Sequence, residues 1–218
     1  MRKVEVIGGQ QDGRSRMRER RSKNLPQHIV LSFIISALSI TAFHRNIIWK
    51  DNLSLWKDVT IKSPSNPRGH NNAGNAHKEN GQKGLALIEY EFAVKLKPSF
   101  SDAHNNLGVL YKEEGLLDEA INEYILAARY SSIIHKKVIY ENLGTAFSEK
   151  GLVGEALHSY KEALKIDPAN SDILYNIGFL YAKLGLPDMA IKFYTEAVRV
   201  NPEDLGARQE LERLLIAR

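Results

Sequence analysis

From residue 67 to the end of the chain, apolar residues recur at i, i+3, i+4 and i+7 in blocks of helical length. Short glycine-bearing turns such as Gly115-Leu116-Leu117-Asp118 separate the blocks, and this is the period of helices with one buried face. The blocks are in register with one another. Gly74, Gly108, Gly144 and Gly178 follow at spacings of 34, 36 and 34, and they open the phrases HNNAGNAH, HNNLGVLY, YENLGTAF and LYNIGFLY. Each glycine is followed by an alanine (Ala86, Ala120, Ala156, Ala190), then by a tyrosine (Tyr90, Tyr124, Tyr160, Tyr194) and a second alanine (Ala93, Ala127, Ala163, Ala197). Pro98, Pro168 and Pro202 close three of the four units. The pattern predicts helix hairpins. The glycine and alanines allow close approach, the aromatic ring fills the gap, and the proline ends the second helix. One hairpin cannot cover its own apolar face, so neighbours must stack.

These residues resemble the tetratricopeptide repeat family, whose unit is a helix-turn-helix with an LG, an A-x3-aromatic and a closing proline at these offsets. The resemblance implies an all-α fold, a right-handed superhelical solenoid whose concave surface binds protein or peptide. The units read 67–100, 101–136, 137–170 and 171–204. Ser132 replaces the proline of the second unit, and His135 and Lys136 are two extra residues. An altered step, or a longer second helix in the second unit, is expected there. Residues 51–66 align without gaps to 155–170, with Trp56 at the Tyr160 position and Pro64 at that of Pro168. Residues 49–66 therefore read as a degenerate half repeat, and 205–218 as an amphipathic capping helix.

The N-terminal quarter is different. Residues 1–24 carry a net charge of +5 and are expected to be disordered, whereas the whole chain has +4, so the body is near neutral. A nucleic-acid-binding body is disfavoured by that distribution. Residues 25–48 hold the apolar run Ile29–Phe43, diluted by Pro26, Gln27, His28, three serines and Thr41. It reads as a candidate transmembrane anchor with a cytoplasmic N-terminus and an extracytoplasmic repeat array. A cleavable signal peptide and a buried helix of a soluble cytoplasmic protein are the alternatives. Residues 44–72, HRNIIWKDNLSLWKDVTIKSPSNPRGHNN, resemble the region after the last membrane helix of transmembrane-and-tetratricopeptide O-mannosyltransferase-like proteins. That likeness implies an anchored topology and no activity in this chain, because catalysis in that family belongs to its multi-pass part.

The chain has no cysteine, and no HExxH, GxSxG or Walker signature appears in it. No catalytic residue, metal ligand or cofactor is expected. His70 and His77 stand two helical turns apart, too far for ordinary chelation, and with His104 they fall on packing positions. The asparagines are the candidate chemistry. Asn72, Asn106, Asn142 and Asn176 share one repeat position, which by the resemblance faces the concave surface. A primary amide can both donate to and accept from a peptide backbone, and O-GlcNAc transferase members of the family hold extended peptides with such a ladder. Bonding to a neighbouring helix is the alternative reading. Asn71, Asn75 and Asn105 stand beside the ladder, although the cations of a carboxylate clamp are missing. Tyr175 and Phe179 add an apolar spot. The expected function is a scaffold that binds an extended segment or partner helix in its groove. The runner-up is a detached, acceptor-presenting portion of a membrane glycosyltransferase. A third reading is a soluble scaffold whose basic tail touches nucleic acid or acidic lipid.

Overall fold

In a computed structural model, which describes residues 26–48 and 50–217, each frame glycine lies under a tyrosine ring. A Cβ built on Gly74, Gly108, Gly144 or Gly178 would stand 2.5, 2.6, 2.7 or 2.9 Å from the nearest ring carbon of Tyr90, Tyr124, Tyr160 or Tyr194. The eight frame alanines are completely buried, and the four tyrosines are buried with them. The small residues thus let paired helices close on a large flat ring, which supplies most of the apolar area at each contact.

The described helices are α1 (Gln27–Ile48), α2 (Asn52–Lys62), α3 (Pro67–Glu79), α4 (Lys83–Leu96), α5 (Ser101–Glu113) and α6 (Leu117–Tyr130). They continue with α7 (Ile133–Glu149), α8 (Val153–Ile166), α9 (Ser171–Lys183), α10 (Pro187–Val200) and α11 (Leu205–Ile216). No strand occurs among the described residues. The chain divides into two compact units at Ser54 and Leu55.

The first unit contains α1. Its apolar side chains, Phe33 and Leu38 among them, are exposed. The helix forms where the apolar run predicts one, but among the described residues no helix is long and apolar enough to cross a membrane. The expectation of an anchor at 25–48, and of a membrane topology built on it, finds no support among the described residues. Gln27 and His28 occupy its first turn, and the hydroxyls of Ser32 and Thr41 are turned back onto the carbonyls of His28 and Leu38. The expectation of a disordered tail at 1–24 falls outside the described residues.

The second unit is a run of hairpins in which, from α3 onward, each helix packs on its neighbours in sequence. Asparagine and proline set the entry to α3. The Asn66 side chain accepts from the Arg68 and Gly69 N–H groups, with Pro67 at the first helical position, where its missing N–H costs nothing. Asn170 and Asp204 cap α9 and α11 in the same way. Gly81, Gly115, Gly151 and Gly185 end the first helix of each hairpin with φ between 71° and 82°, a conformation that favours glycine. Three of the first helices have 13 residues, but α7 has 17. The two-residue insertion is therefore absorbed by the front of α7. The second helix α6, expected to be the longer one, keeps the 14 residues of its counterparts. With Ser132 in place of proline, the chain is free to start α7 a turn early.

The residue after each frame glycine decides whether the tyrosine hydroxyl has a partner. Tyr90 Oη donates to Asn75 Oδ1 at 2.7 Å, and Tyr160 Oη lies 3.1 Å from Thr145 Oγ1. Val109 and Phe179 hold that position in the other two units, and the buried hydroxyls of Tyr124 and Tyr194 are unpaired. Phenylalanine at 124 or 194 is expected to leave stability unchanged or raise it. Phenylalanine at 90 or 160 is expected to cost about 1 kcal/mol. Urea unfolding of the four variants checks this, and the opposite ranking would refute it.

Candidate functional site

The first helices α3, α5 and α7 lie side by side, and asparagines join them. Asn106 on α5 donates both amide protons to α3, to Asn71 Oδ1 at 2.9 Å and Asn75 Oδ1 at 3.1 Å. Asn142 on α7 repeats the move, donating to Asn105 Oδ1 at 3.1 Å. Asn71 is buried, and its own amide reaches Asn72 Oδ1 at 3.4 Å. Asn106 and Asn142 are therefore inter-helix rungs, and their amide N–H groups serve the stack. Among the described residues no hydrogen bond engages the Oδ1 atoms of Asn106 and Asn142 or the Nδ2 of Asn105. The third rung is open. Glu141 stands on α7 where Asn71 and Asn105 accept, and among the described residues Asn176 donates no such bond to it.

Between α5 and α7 the longer helix opens a cleft of about 260 Å3. Ser101, Asp102, Asn105 and Asn106 form one wall, and Ile134, His135, Val138 and Ile139 the other. Ile134 and Val138 are 77% and 48% exposed, so an apolar shelf adjoins the two asparagines. Sequence reading missed this shelf, although the two extra residues ahead of Val138 were its signal. A second cleft of about 320 Å3, lined by Leu87, Leu110, Tyr111 and Leu116 among others, touches none of the expected site residues.

Charge on this face is largely paired from one repeat to the next. Lys78 reaches Glu113 at 2.8 Å, and Lys83 reaches the same carboxylate at 3.0 Å. The hydrogen bond from Lys78 is the main reason the Glu113 carboxyl is held below its ordinary value. Lys112 and Glu149 approach to 4.0 Å, and Lys137 bonds Asp167 at 3.1 Å. Glu141 behaves in the opposite sense. Burial pushes its carboxyl up, Lys137 opposes the shift, and Asp172 and Asp167 add to it. A carboxyl in that setting is improved by any cation that reaches it.

Tyr175 and Phe179 stand four residues apart on α9. Tyr175 packs in the cluster of Leu174, Ala197 and Ala207 beneath α11, and its ring lies 5.5 Å from that of Tyr194. Phe179 is 47% exposed. His77 is buried with Nδ1 2.7 Å from Gln82 Oε1, as a packing residue should be. His70 and His104 are buried as well, but each meets a carboxylate that sequence reading did not pair with it, Glu89 and Glu123. Both partners stand 19 residues after their histidine, and that recurrence was the available signal.

Family comparison settles what the hairpins are. Residues 71–132 and 171–204 match family models described as tetratricopeptide repeat, and residues 144–185 match one described as TPR repeat. The chain carries tetratricopeptide repeats. The repeat matches begin at residue 71, and nothing in them carries the likeness of residues 44–72 to O-mannosyltransferase-like proteins. No curated protein matches the sequence. Among solved structures, MamA superposes with a TM-score of 0.65 at 21% identity over 69% of this chain and 87% of that one. Pseudomonas aeruginosa pilF gives 0.69 at 16% identity, covering 83% and 81%. The Cut9-Hcn1 hetero-tetramer of the APC/C gives 0.66 at 19%, covering 83% of this chain and 35% of that one. At these identities the likeness is one of fold. A tetratricopeptide scaffold of this kind is typical of protein-protein interaction.

Proposed function

We propose that the tetratricopeptide array holds an extended protein segment along α5, α7 and α9, with an aliphatic side chain in the α5–α7 cleft and a basic one at Glu141. The observation that supports this reading is the cleft itself. It combines an exposed apolar shelf, Ile134 and Val138, with asparagine groups that the inter-helix rungs leave over for a peptide backbone. A main chain held by amides makes little demand on sequence, so specificity falls to the side-chain positions. Glu141, raised by burial with Asp172 and Asp167 nearby, makes a lysine or arginine the favourable neighbour and an acidic segment the unfavourable one.

Asn106 is a poor site to test this, because removing it also breaks two bonds between α3 and α5. Val138 is the better one, since it is half exposed and its change leaves the stack intact. A phage-displayed library of random peptides selected against the full chain is expected to enrich aliphatic residues close to lysine or arginine. Val138→Asp should weaken the selected peptides about tenfold, the equivalent of one lost apolar contact, and Glu141→Lys should do the same for the basic ones alone. Enrichment of acidic peptides, or binding indifferent to both changes with helicity unchanged, would overturn the reading.

A further inference from the structure

Two buried histidines have both ring nitrogens engaged at the turns that lead into α3 and α5. His104 Nδ1 lies 2.6 Å from Glu123 Oε2, and its Nε2 lies 2.9 Å from the Pro98 carbonyl in the turn between α4 and α5. His70 repeats the arrangement at 2.7 Å to Glu89 Oε2 and 2.9 Å to the Pro64 carbonyl, in the turn between α2 and α3. Each ring stacks on an aromatic one, His104 on Tyr130 at 6.1 Å and His70 on Phe92 at 5.6 Å. A carbonyl oxygen only accepts, so Nε2 of His104 carries a proton. An ionised carboxylate also only accepts, so Nδ1 of His104 needs one too.

We propose that His104 is a proton-dependent latch that sets the step between the first two full hairpins, closed as imidazolium and loosened when the ring turns neutral. A neutral ring keeps one N–H. It must then give up the turn carbonyl or direct a lone pair at the carboxylate. The groups that face the rings are few. Glu123 acts on His104 from α6, the Pro98 carbonyl from the preceding turn, and the Tyr130 ring from the end of α6. Glu123 itself also faces the Tyr111 phenol. Glu89, the Pro64 carbonyl and Phe92 surround His70 in the same way. The later hairpins lack the device. Tyr140 with Ser159, and Leu174 with Phe193, occupy the corresponding positions.

For His104, burial alone disfavours the charged ring. The hydrogen bonds to Glu123 and the Pro98 carbonyl, with the Glu123 charge, outweigh it and raise the pKa above the ordinary 6.5. The sign follows. The stabilisation is complete below the unfolded value and disappears as pH rises through the folded one. The turn between α4 and α5 is therefore tighter at mildly acidic pH.

Hydrogen exchange of the full chain across the neutral range, corrected for intrinsic rates, tests this. Opening of the turn at 97–100 is expected to rise by up to about tenfold per pH unit across the titration, while the turn at 167–170 stays constant. Glu123→Gln supplies an amide N–H to the neutral ring, so this variant should show flat exchange, as protected at high pH as the parent is at low pH. His104→Leu with Glu123→Phe copies the Leu174 and Phe193 pair and should remove the response at 97–100. Flat exchange in the parent, or a slope that survives both variants, would overturn the proposal.

Discussion

Gly108→Val is expected to destabilise the array by about 3 kcal/mol, the upper end of what overpacking a close helix contact costs. A Cβ at 108 would sit 2.6 Å from Tyr124 Cε1, 2.7 Å from Cδ1 and 3.0 Å from Cζ. The ring has no exposed surface and lies between Ala120 and Ala127, which are completely buried too. It cannot withdraw, so the helices must separate. Gly108→Ala should cost less, because alanine recovers roughly 1 kcal/mol of helix propensity. Gly84 and Gly154 provide the control, since a Cβ there meets nothing within 4 Å. Alanine at either is expected to stabilise. Urea midpoints followed by circular dichroism rank the set. The decisive comparison is a cycle with Tyr124→Leu: the double variant Gly108→Ala, Tyr124→Leu should lose less than the two changes summed. Simple additivity would show that the ring is not what excludes the methyl group.

Ending the chain at Asp204 is expected to be comparably severe. The residues of α11 complete a cluster with Leu174 and Ala197, flanked by Tyr175, Val198 and Val200, and Ala207 is fully buried in it. Losing that cover exposes the hairpin face on which α11 packs. The cost is roughly 3 kcal/mol, what burying one or two large apolar side chains supplies. The bare face should also make the shortened chain self-associate, as terminal repeats without a polar outer surface do. Thermal unfolding and sedimentation of both lengths, at matched concentrations, measure the two effects. An unchanged midpoint with unchanged sedimentation would mean that α11 is an appendage.

The hairpins are legible in the sequence because their determinants are local and repeated. A glycine that must admit a tyrosine ring recurs at fixed spacing, and so do the alanines beside that ring. Side-chain pairing across hairpins is harder to read. Asn106 could face a ligand or the preceding helix, and only the lateral distance between α3 and α5 assigns its protons to Asn71 and Asn75. His70 and His104 were readable as buried but not as partners of Glu89 and Glu123, since a packing position and a carboxylate contact leave the same trace until the partner is found. The insertion at His135 and Lys136 was visible, yet a helix can lengthen at either side of a turn. It lengthens at the front of α7, where the step-setting proline is missing. For α1, apolar character sufficed to predict the helix.

The side-chain hydrogen bonds of the second unit have a further implication. Among the described residues the longest spans 37 positions, from Asn142 to Asn105, and each hairpin packs on the ones beside it. Ordering therefore closes only short loops, the condition under which chains fold fast. During synthesis, the hairpin of α3 and α4 can be complete before α7 has been made. Growth of the array is then templated, each finished hairpin offering the next a ready surface, and the direction of translation becomes the direction of assembly.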